Sequence, residues 1–175
     1  MMPLHCHPET PAPWVEAFQA RAGWGPDGGL RLDYRLEADL AALRLPATLP
    51  RRPTDGLWRH SCCEAFLLGA DAPAYREVNL SPAGPWAGYG FSAYRQAAKA
   101  PPLPDPGIRC RRDGAVLSLE ALIPAAWLPS GRRLRLGLSA VLEHTDGSLS
   151  YWALGHPPGR PDFHHLDCFL LELER

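Results

Sequence analysis

Hydrophobic residues occur at every second position over much of the chain, which is the spacing of strands with one buried face. The alternation is clearest over residues 30–36 and 134–142, where leucines and other apolar residues alternate with polar or small ones. Between such segments stand Gly- and Pro-rich turns, among them Asp-Gly pairs at 113–114 and 146–147. About ten short strands with little helix indicate one all-β domain over residues 1–175, an antiparallel β-sandwich of the jelly-roll or immunoglobulin-like type. Further turns are predicted at 26–29 and 70–73, and a closing strand at 168–173.

The stretch 57–94 departs from this simple alternation, because three predicted strands there carry acid, amide and aromatic side chains. We predict that the first strand is continuous over 57–68 and places Trp58, His60 and Glu64 on one face. The second strand is predicted to place its tyrosine, glutamate and asparagine on one face as well. The candidate ligand-binding residues of the stretch are Trp58, His60, Glu64, Tyr75, Glu77, Asn79 and Trp86.

Glu64 is predicted to lie among apolar neighbours, where an unpaired carboxylate is costly. One interpretation is a structural brace, in which the carboxylate is tied to backbone N–H groups or paired with an arginine. The arginines considered for that pairing are Arg59, Arg76 and Arg95. The second interpretation is a ligand contact shared with Glu77 and Asn79. If the two carboxyl groups face each other across neighbouring strands, we expect the pKa of one of them to rise.

Aromatic residues form a second set of candidates, each of which belongs either to the core or to a surface for ligand stacking. They are Trp58, Trp86, Tyr89, Tyr94, Tyr151 and Trp152. Gly88 and Gly90 share the predicted face of Trp86 and leave space there for a close approach of backbone or ligand. Aromatic rings with interleaved acids and amides suit a sugar, because ring faces stack on its apolar face and its hydroxyls find acceptors.

The loop HPPGRPDFHH, residues 156–165, contains three prolines that restrict its backbone, and such rigidity suits side chains that must be held in place. We predict that His164 or His165 contacts the strand 57–66 or the strand 86–94. A self-contained surface loop capped by its own aspartate is the competing possibility. The remaining candidate ligand-binding residues are His156, Arg160, His164 and His165, with Arg160 expected to pair with Asp162 or with the acidic patch.

Composition and charge exclude several classes of function. The formal net charge is −1 and no long run of one sign occurs, so neither a nucleic-acid-binding surface nor a membrane-binding basic patch is expected. No apolar run has the length of a transmembrane helix, and the N-terminus lacks the pattern of a secretory signal. The five cysteines are odd in number and scattered, which argues against a disulfide framework and predicts a cytoplasmic protein.

Three segments of the chain resemble a bacterial family of DOMON-like domain proteins, relatives of the family 9 carbohydrate-binding modules. These segments are LWRHSCCEAFL, YREVNLSPAGPWAGYGFSAYR and LSYWALGHPPGRPDFHH. The pattern Trp-x-x-Ser-x-x-Glu-x-Phe-Leu, which begins at Trp58, is similar to the Trp, polar residue and Glu on a central strand of the module. The resemblance implies an antiparallel β-sandwich that binds sugars or haem, mostly without catalysis. Haem-binding members use an axial methionine, whereas this chain has only Met1 and Met2, outside the predicted strands.

The leading hypothesis is a non-catalytic module that binds a small carbohydrate-like molecule and needs no cofactor or metal. A second hypothesis is haem binding by histidines, and the histidines considered are His60, His156, His164 and His165. The third is a glycosidase with paired carboxyl groups, and the fourth is a structural or partner-binding domain without a small ligand. The chain contains no nucleophile elbow, phosphate-binding loop or dinucleotide-binding fingerprint.

Overall fold

A computed structural model describes residues 1–25, 27–69 and 73–175, and its strands form two antiparallel sheets. In chain order the strands are β1 (Met2–Pro3), β2 (His5–Cys6), β3 (Val15–Trp24), β4 (Leu30–Ala38), β5 (Cys62–Gly69), β6 (Tyr75–Leu80), β7 (Trp86–Ala93), β8 (Gln96–Ala98), β9 (Arg109–Asp113), β10 (Val116–Ile123), β11 (Arg133–Glu143), β12 (Leu149–Ala153) and β13 (Leu171–Glu174). Short 3-10 helices occur at Leu57–Arg59, Ala125–Trp127 and Leu166–Cys168. The predicted all-β sandwich is confirmed. The predicted turns at 26–29 and 70–73 include residues outside the described ranges.

The first sheet has the strand order β1-β3-β4-β10-β9. The second has the order β2-β12-β11-β5-β6-β7-β8, and β13 pairs with β11 beside this path. The predicted hairpin at 113–114 is confirmed, because Asp113 pairs directly with Val116 across a turn in which Gly114 has a φ of 55°. That left-handed conformation is readily adopted by glycine and seldom by residues with a side chain.

The core between the two sheets is made of the alternating apolar positions that the sequence pattern predicts. Strand β4 contributes Leu30, Leu32 and Leu36, which are at most 2% exposed, and β11 contributes Leu134 and Leu138, which are 0% exposed. The polar residues between them point away from this core. Side chains of alternate strand residues point to opposite faces of a sheet, so the period of two in the sequence becomes the two faces of each sheet.

Around β5 the second sheet is buried on both of its faces, and this feature positions the candidate site. All eight residues of β5 are buried. On the face turned away from the first sheet, a second apolar cluster lies beneath the chain segment 155–170. Its members are Phe66, Leu68, Tyr75, Val141, Ala153, Phe163, Cys168 and Phe169. The segment passes so close to β11 that a Cβ on Gly137 would lie 3.1 Å from the carbonyl oxygen of Cys168. We call this covered surface the outer face.

The strand predicted over 57–68 is wrong in its first part. Residues Leu57–Arg59 form a 3-10 helix that follows Gly56, whose φ of 76° turns the chain. Strand β5 begins only at Cys62. Ser61 holds the chain at this entry, because its hydroxyl donates to the carbonyl of Arg44 at 2.9 Å and accepts the N–H of Glu143 at 3.0 Å. Trp58 and His60 therefore do not share a strand face with Glu64.

The predicted closing strand at 168–173 is shorter and begins later than expected. Leu166–Cys168 form a 3-10 helix, and the last strand starts at Leu171. The side chain of His165 caps this helix by accepting the N–H of Asp167 at 3.2 Å. None of the helical segments in the described part of the chain has the length and apolar character needed to cross a bilayer.

Candidate functional site

A cavity of about 350 Å³ opens on the outer face of the second sheet. Its floor is formed by β5, β6, β7, β11 and β12, and its walls by the 3-10 helix at 57–59, the turn at 94–95 and the loop 156–165. The residues that line it are Trp58, Glu64, Phe66, Glu77, Tyr89, Phe91, Arg95, Val141, Tyr151, Pro161, Phe163 and His164. Such a volume suits a small molecule, and the lining combines apolar rings with a few polar groups.

Strand register brings the polar residues of the floor together. Glu64 on β5 pairs with Asn79 on β6 and with Ser139 on β11, so these three residues form one row across the sheet. Glu77 lies one row further along, where it pairs with Phe66 and Tyr89. Glu64 and Glu77 are therefore diagonal neighbours on adjacent strands with side chains on the same face, an arrangement close enough for their charges to interact.

The carboxyl group of Glu64 is buried without a compensating partner. The residue is 3% exposed, and its Oε1 atom has no hydrogen-bond partner among the described residues. Burial raises the pKa of Glu64 well above its ordinary value, and the nearby charge of Glu77 raises it further. The predicted rise is thus confirmed. The brace interpretation fails for Glu64, because none of its contacts within the described ranges is an ion pair with an arginine.

Glu77 is the second acid of the cavity floor. Burial raises its pKa to about 7, while a hydrogen bond from Asn79 and the charge of Arg95 act in the opposite direction. The Asn79 amide nitrogen donates to Glu77 Oε1 over 2.9 Å, and the Asn79 Oδ1 atom has no partner. Asn79 itself is fully buried behind the cavity lining, so its role is to orient the carboxyl group of Glu77.

His164 is anchored by Tyr75 and faces Glu77. The backbone N–H of Arg95 donates to the Tyr75 hydroxyl at 3.0 Å, and that hydroxyl lies 2.8 Å from His164 Nδ1. A hydroxyl has one donor and two acceptor sites, so this contact holds the imidazole in place in either tautomer. The Nε2 atom faces the Glu77 carboxyl group, with 3.7 Å between Nε2 and Oε2. Burial and the charge of Arg95 lower the pKa of His164 to about 4.

The turn between β7 and β8 fixes Arg95 at the rim of the cavity. Arg95 has a φ of 54°, a left-handed conformation that costs a residue with a Cβ roughly 1–2 kcal/mol. This conformation directs its backbone N–H to Tyr75. Its guanidinium binds the Asp162 carboxylate at 2.7 Å, and the Tyr94 hydroxyl donates to the same carboxylate. The charge of Arg95 is therefore compensated within the loop, and these bonds lower the pKa of Asp162 despite its partial burial.

Aromatic rings form most of the wall. Trp58 meets Tyr89 edge to face, with ring centroids 5.6 Å apart, and the Tyr89 hydroxyl donates to Asp55 at 2.6 Å. The ring of His164 lies with its centroid 5.0 Å from those of both Phe66 and Phe91. The predicted contact between the loop 156–165 and the central strands is therefore confirmed through His164.

Two tryptophans that were predicted as ligand-stacking residues belong to the core between the sheets. Trp86 is 5% exposed, and its indole N–H donates to the carbonyl of Leu103 at 2.9 Å. The space beside Gly88 is filled by the protein itself, since a Cβ there would lie 2.7 Å from a ring carbon of Trp127. Trp152 is 7% exposed and packs against Phe18 at a centroid distance of 5.8 Å. Its strand neighbour Tyr151 faces the cavity instead.

Four polar candidates lie away from the cavity lining. His60 binds the Glu143 carboxylate at 2.8 Å, and its side chain is 62% exposed. His156 lies 2.8 Å from the carbonyl of His5 through Nε2. Arg160 and His165 border the outside of the loop, and the expected pairing of Arg160 with Asp162 is replaced by the Arg95–Asp162 pair. Six of the candidates line the cavity, namely Trp58, Glu64, Glu77, His164 and, from the aromatic set, Tyr89 and Tyr151. Tyr75 and Asn79 support them from behind.

The prediction missed several lining residues, namely Phe66, Phe91, Arg95, Val141, Pro161 and Phe163. A signal was available for Phe66 and Phe91, because Phe66 lies two residues from Glu64 and Phe91 two residues from Tyr89, each on the same strand face as that candidate. Arg95 and the loop residues carry no such periodicity, and only the folded chain brings them to the outer face.

Comparison with known proteins supports the fold. No protein-family model matches the chain, and no curated protein matches it. A solved structure does, the 2.70 Å crystal structure of a "putative carbohydrate-binding protein" from Bacteroides uniformis ATCC 8492. The TM-score is 0.66 at 16% sequence identity, over 99% of this chain and 84% of that chain. At this identity, the likeness shows that the two proteins share a fold.

Proposed function

We propose that the outer-face cavity binds a small saccharide without transforming it. The observation that carries this proposal is the buried, unpartnered carboxyl group of Glu64 inside a cavity walled by aromatic rings. A buried polar group without a partner is costly, and a ligand hydroxyl that binds there recovers part of that cost. Rings such as Trp58 and Tyr151 offer apolar faces to the C–H side of a sugar.

Two further observations accord with this proposal. The solved structure that shares the fold is described as a "putative carbohydrate-binding protein", and the sequence motifs around Trp58 and Glu64 resemble those of DOMON-like domains and family 9 carbohydrate-binding modules. His164 adds a ring nitrogen at a fixed position, and Arg95 adds guanidinium donors at the rim. The cavity thus offers both donors and acceptors, as the alternating hydroxyls of a sugar require.

The residues of the cavity do not fit a haem held by two histidines. Of the four histidines considered for that role, His164 alone is among the lining residues. Its Nδ1 atom is engaged by Tyr75 and its Nε2 atom faces the Glu77 carboxyl group, and the described lining residues include no second histidine to complete the pair. No group of three or more His, Cys, Asp or Glu side chains within the described ranges is arranged to hold a metal ion.

Isothermal titration calorimetry against a panel of monosaccharides and disaccharides tests the proposal. We expect at least one of these sugars to bind, and we expect the Trp58→Ala and Glu64→Gln variants to bind it about tenfold more weakly or less. The matched control is Glu16→Gln, which changes an exposed glutamate on the first sheet. Binding that survives both cavity substitutions unchanged would place the ligand elsewhere and refute the proposal. The same sugars, offered as aryl glycosides, should remain unhydrolysed.

A further inference from the structure

We infer that the preferred ligand of the cavity carries a protonated amine, so that the sugar is an amino sugar rather than a neutral or acidic one. This inference rests on the proposed function and specifies its ligand class. Its observational basis is the pair of carboxyl groups from Glu64 and Glu77, which lie side by side on the cavity floor among aromatic rings and have no cationic partner in hydrogen-bond contact within the described ranges.

The charge balance of the cavity favours a cation. Arg95 is the guanidinium at the rim, but its charge is matched by the Asp162 carboxylate 2.7 Å away. His164 adds no positive charge near neutral pH, because burial and the charge of Arg95 lower its pKa to about 4. When Glu64 and Glu77 are ionised, the cavity therefore carries two uncompensated negative charges. An ammonium group placed between them supplies the missing countercharge and donates hydrogen bonds to both carboxylates.

The hydrogen-bonding groups of the cavity floor also favour an ammonium group. In its ionised form Glu64 has at Oε1 a buried acceptor for which the described residues supply no donor, and the bond to Glu77 Oε1 comes from Asn79. An ammonium has three N–H donors and no acceptor, so it matches a floor of acceptors better than a hydroxyl, which brings an acceptor with its donor. The aromatic wall adds to the attraction, since ring faces of Trp58, Tyr89 and Tyr151 attract cations.

Binding of such a ligand must release protons. Burial raises the pKa of Glu64 well above its ordinary value and that of Glu77 to about 7, so near neutral pH the empty cavity retains protons that an ammonium displaces to solvent. The titratable and charged groups that surround these carboxyl groups are Tyr89 on β7, Arg95 on the turn, Tyr151 on β12, and Asp162 and His164 on the loop, with Tyr75 behind them. A neutral sugar displaces no such protons.

The experiment compares glucose, galactose and mannose with their 2-amino and 2-acetamido counterparts by calorimetry at pH 7. For at least one series, we expect the 2-amino sugar to bind roughly tenfold more tightly than its parent, and the 2-acetamido sugar, which is uncharged, to lose this gain. In buffers of different ionisation enthalpy, the 2-amino sugar should release protons on binding and the parent sugar should not. The gain should fall in Glu64→Gln and in Glu77→Gln, and persist in Glu16→Gln.

The outcomes separate this inference from the proposed function. Equal or tighter binding of the neutral sugars would overturn the amine preference and leave the saccharide site standing. A preference for the 2-amino sugar that is unchanged in both cavity variants would also overturn it, because the charges would then lie elsewhere. Failure of every sugar to bind would overturn both. The comparison of 2-amino with 2-acetamido sugars uses the unmodified protein, so it holds even if a variant fails to fold.

Discussion

Glu77 and His164 face each other in the cavity and shift their titration in opposite directions, so their removal should affect stability with opposite dependence on pH. The pKa of Glu77 rises from 4.5 to about 7, and that of His164 falls from 6.5 to about 4. Their side chains are only 8% and 16% exposed, so solvent screens these effects little. At about 1.4 kcal/mol for each unit of pKa, each residue changes the free energy of unfolding by about 3 kcal/mol across its pH range.

The direction of each pH dependence follows from whether the folded or the unfolded chain holds the proton. Between pH 4.5 and 7, folded Glu77 keeps a proton that the unfolded chain has lost, so its contribution is complete below pH 4.5 and is lost as the pH rises to 7. Between pH 4 and 6.5, folded His164 is neutral while the unfolded chain is protonated. Its contribution is therefore complete above pH 6.5 and is lost as the pH falls to 4.

Urea unfolding monitored by circular dichroism from pH 4 to 8 measures both effects. Relative to the unmodified protein, Glu77→Gln should gain about 3 kcal/mol of unfolding free energy as the pH rises through this range. His164→Gln should lose about 3 kcal/mol over the same rise. Packing losses shift each curve at all pH values alike. Loss of the Glu77 charge also lowers the pKa of Glu64, which changes the slope of the Glu77→Gln variant in the same direction. Profiles parallel to that of the unmodified protein, as expected for the control Glu16→Gln, would refute the electrostatic account.

Three more predictions concern the packing. Gly88→Ala should lower the unfolding free energy by about 1–3 kcal/mol, because the new Cβ meets a core tryptophan. Gly23→Ala should change it little, because no atom lies within 4 Å of the new Cβ. Calorimetric melting of the two variants measures the difference. Trp86→Ala should lower the free energy of unfolding in urea by about 3–5 kcal/mol. Trp58→Ala should lower sugar affinity and leave stability nearly unchanged. The reverse pattern would contradict the assignment of Trp86 to the core and of Trp58 to the cavity wall. The two partly buried cysteines should react with a thiol reagent in the native protein, and rapid reaction of the three buried ones would contradict the packing.

The sandwich could be predicted from sequence because burial on one face leaves a period of two, which is local and repeated in many strands. The same periodicity placed Glu77 and Asn79 on one face, and a ligand contact that Glu64 shares with them was one of the two interpretations of Glu64. It predicted that the pKa of a buried carboxyl group rises, since that consequence needs only adjacency and burial. The contact of His164 with the central strands was predictable because three prolines hold its loop in place.

The errors arose where tertiary packing decides between two faces. Trp86 and Trp152 alternate with Ala87 and Tyr151, and the sequence does not show which member of each pair faces the first sheet. Both faces of the second sheet are buried around β5, so the usual contrast between apolar and polar positions is absent there. The start of β5 was misplaced because the Ser61 hydroxyl bonds to backbone groups of segments that are distant in sequence.

The most direct test of the cavity as the ligand site uses methyl resonances of valine. The valines of the chain are Val15, Val78, Val116 and Val141. Val141 lines the cavity, whereas Val78 lies in the core between the sheets and the remaining two lie on strands of the first sheet. In a titration of methyl-labelled protein with the sugar that binds most tightly, we predict that the Val141 methyl signals move to saturation while those of the three remaining valines stay in place. A stationary Val141 signal in the presence of saturating, calorimetrically verified ligand would contradict the account.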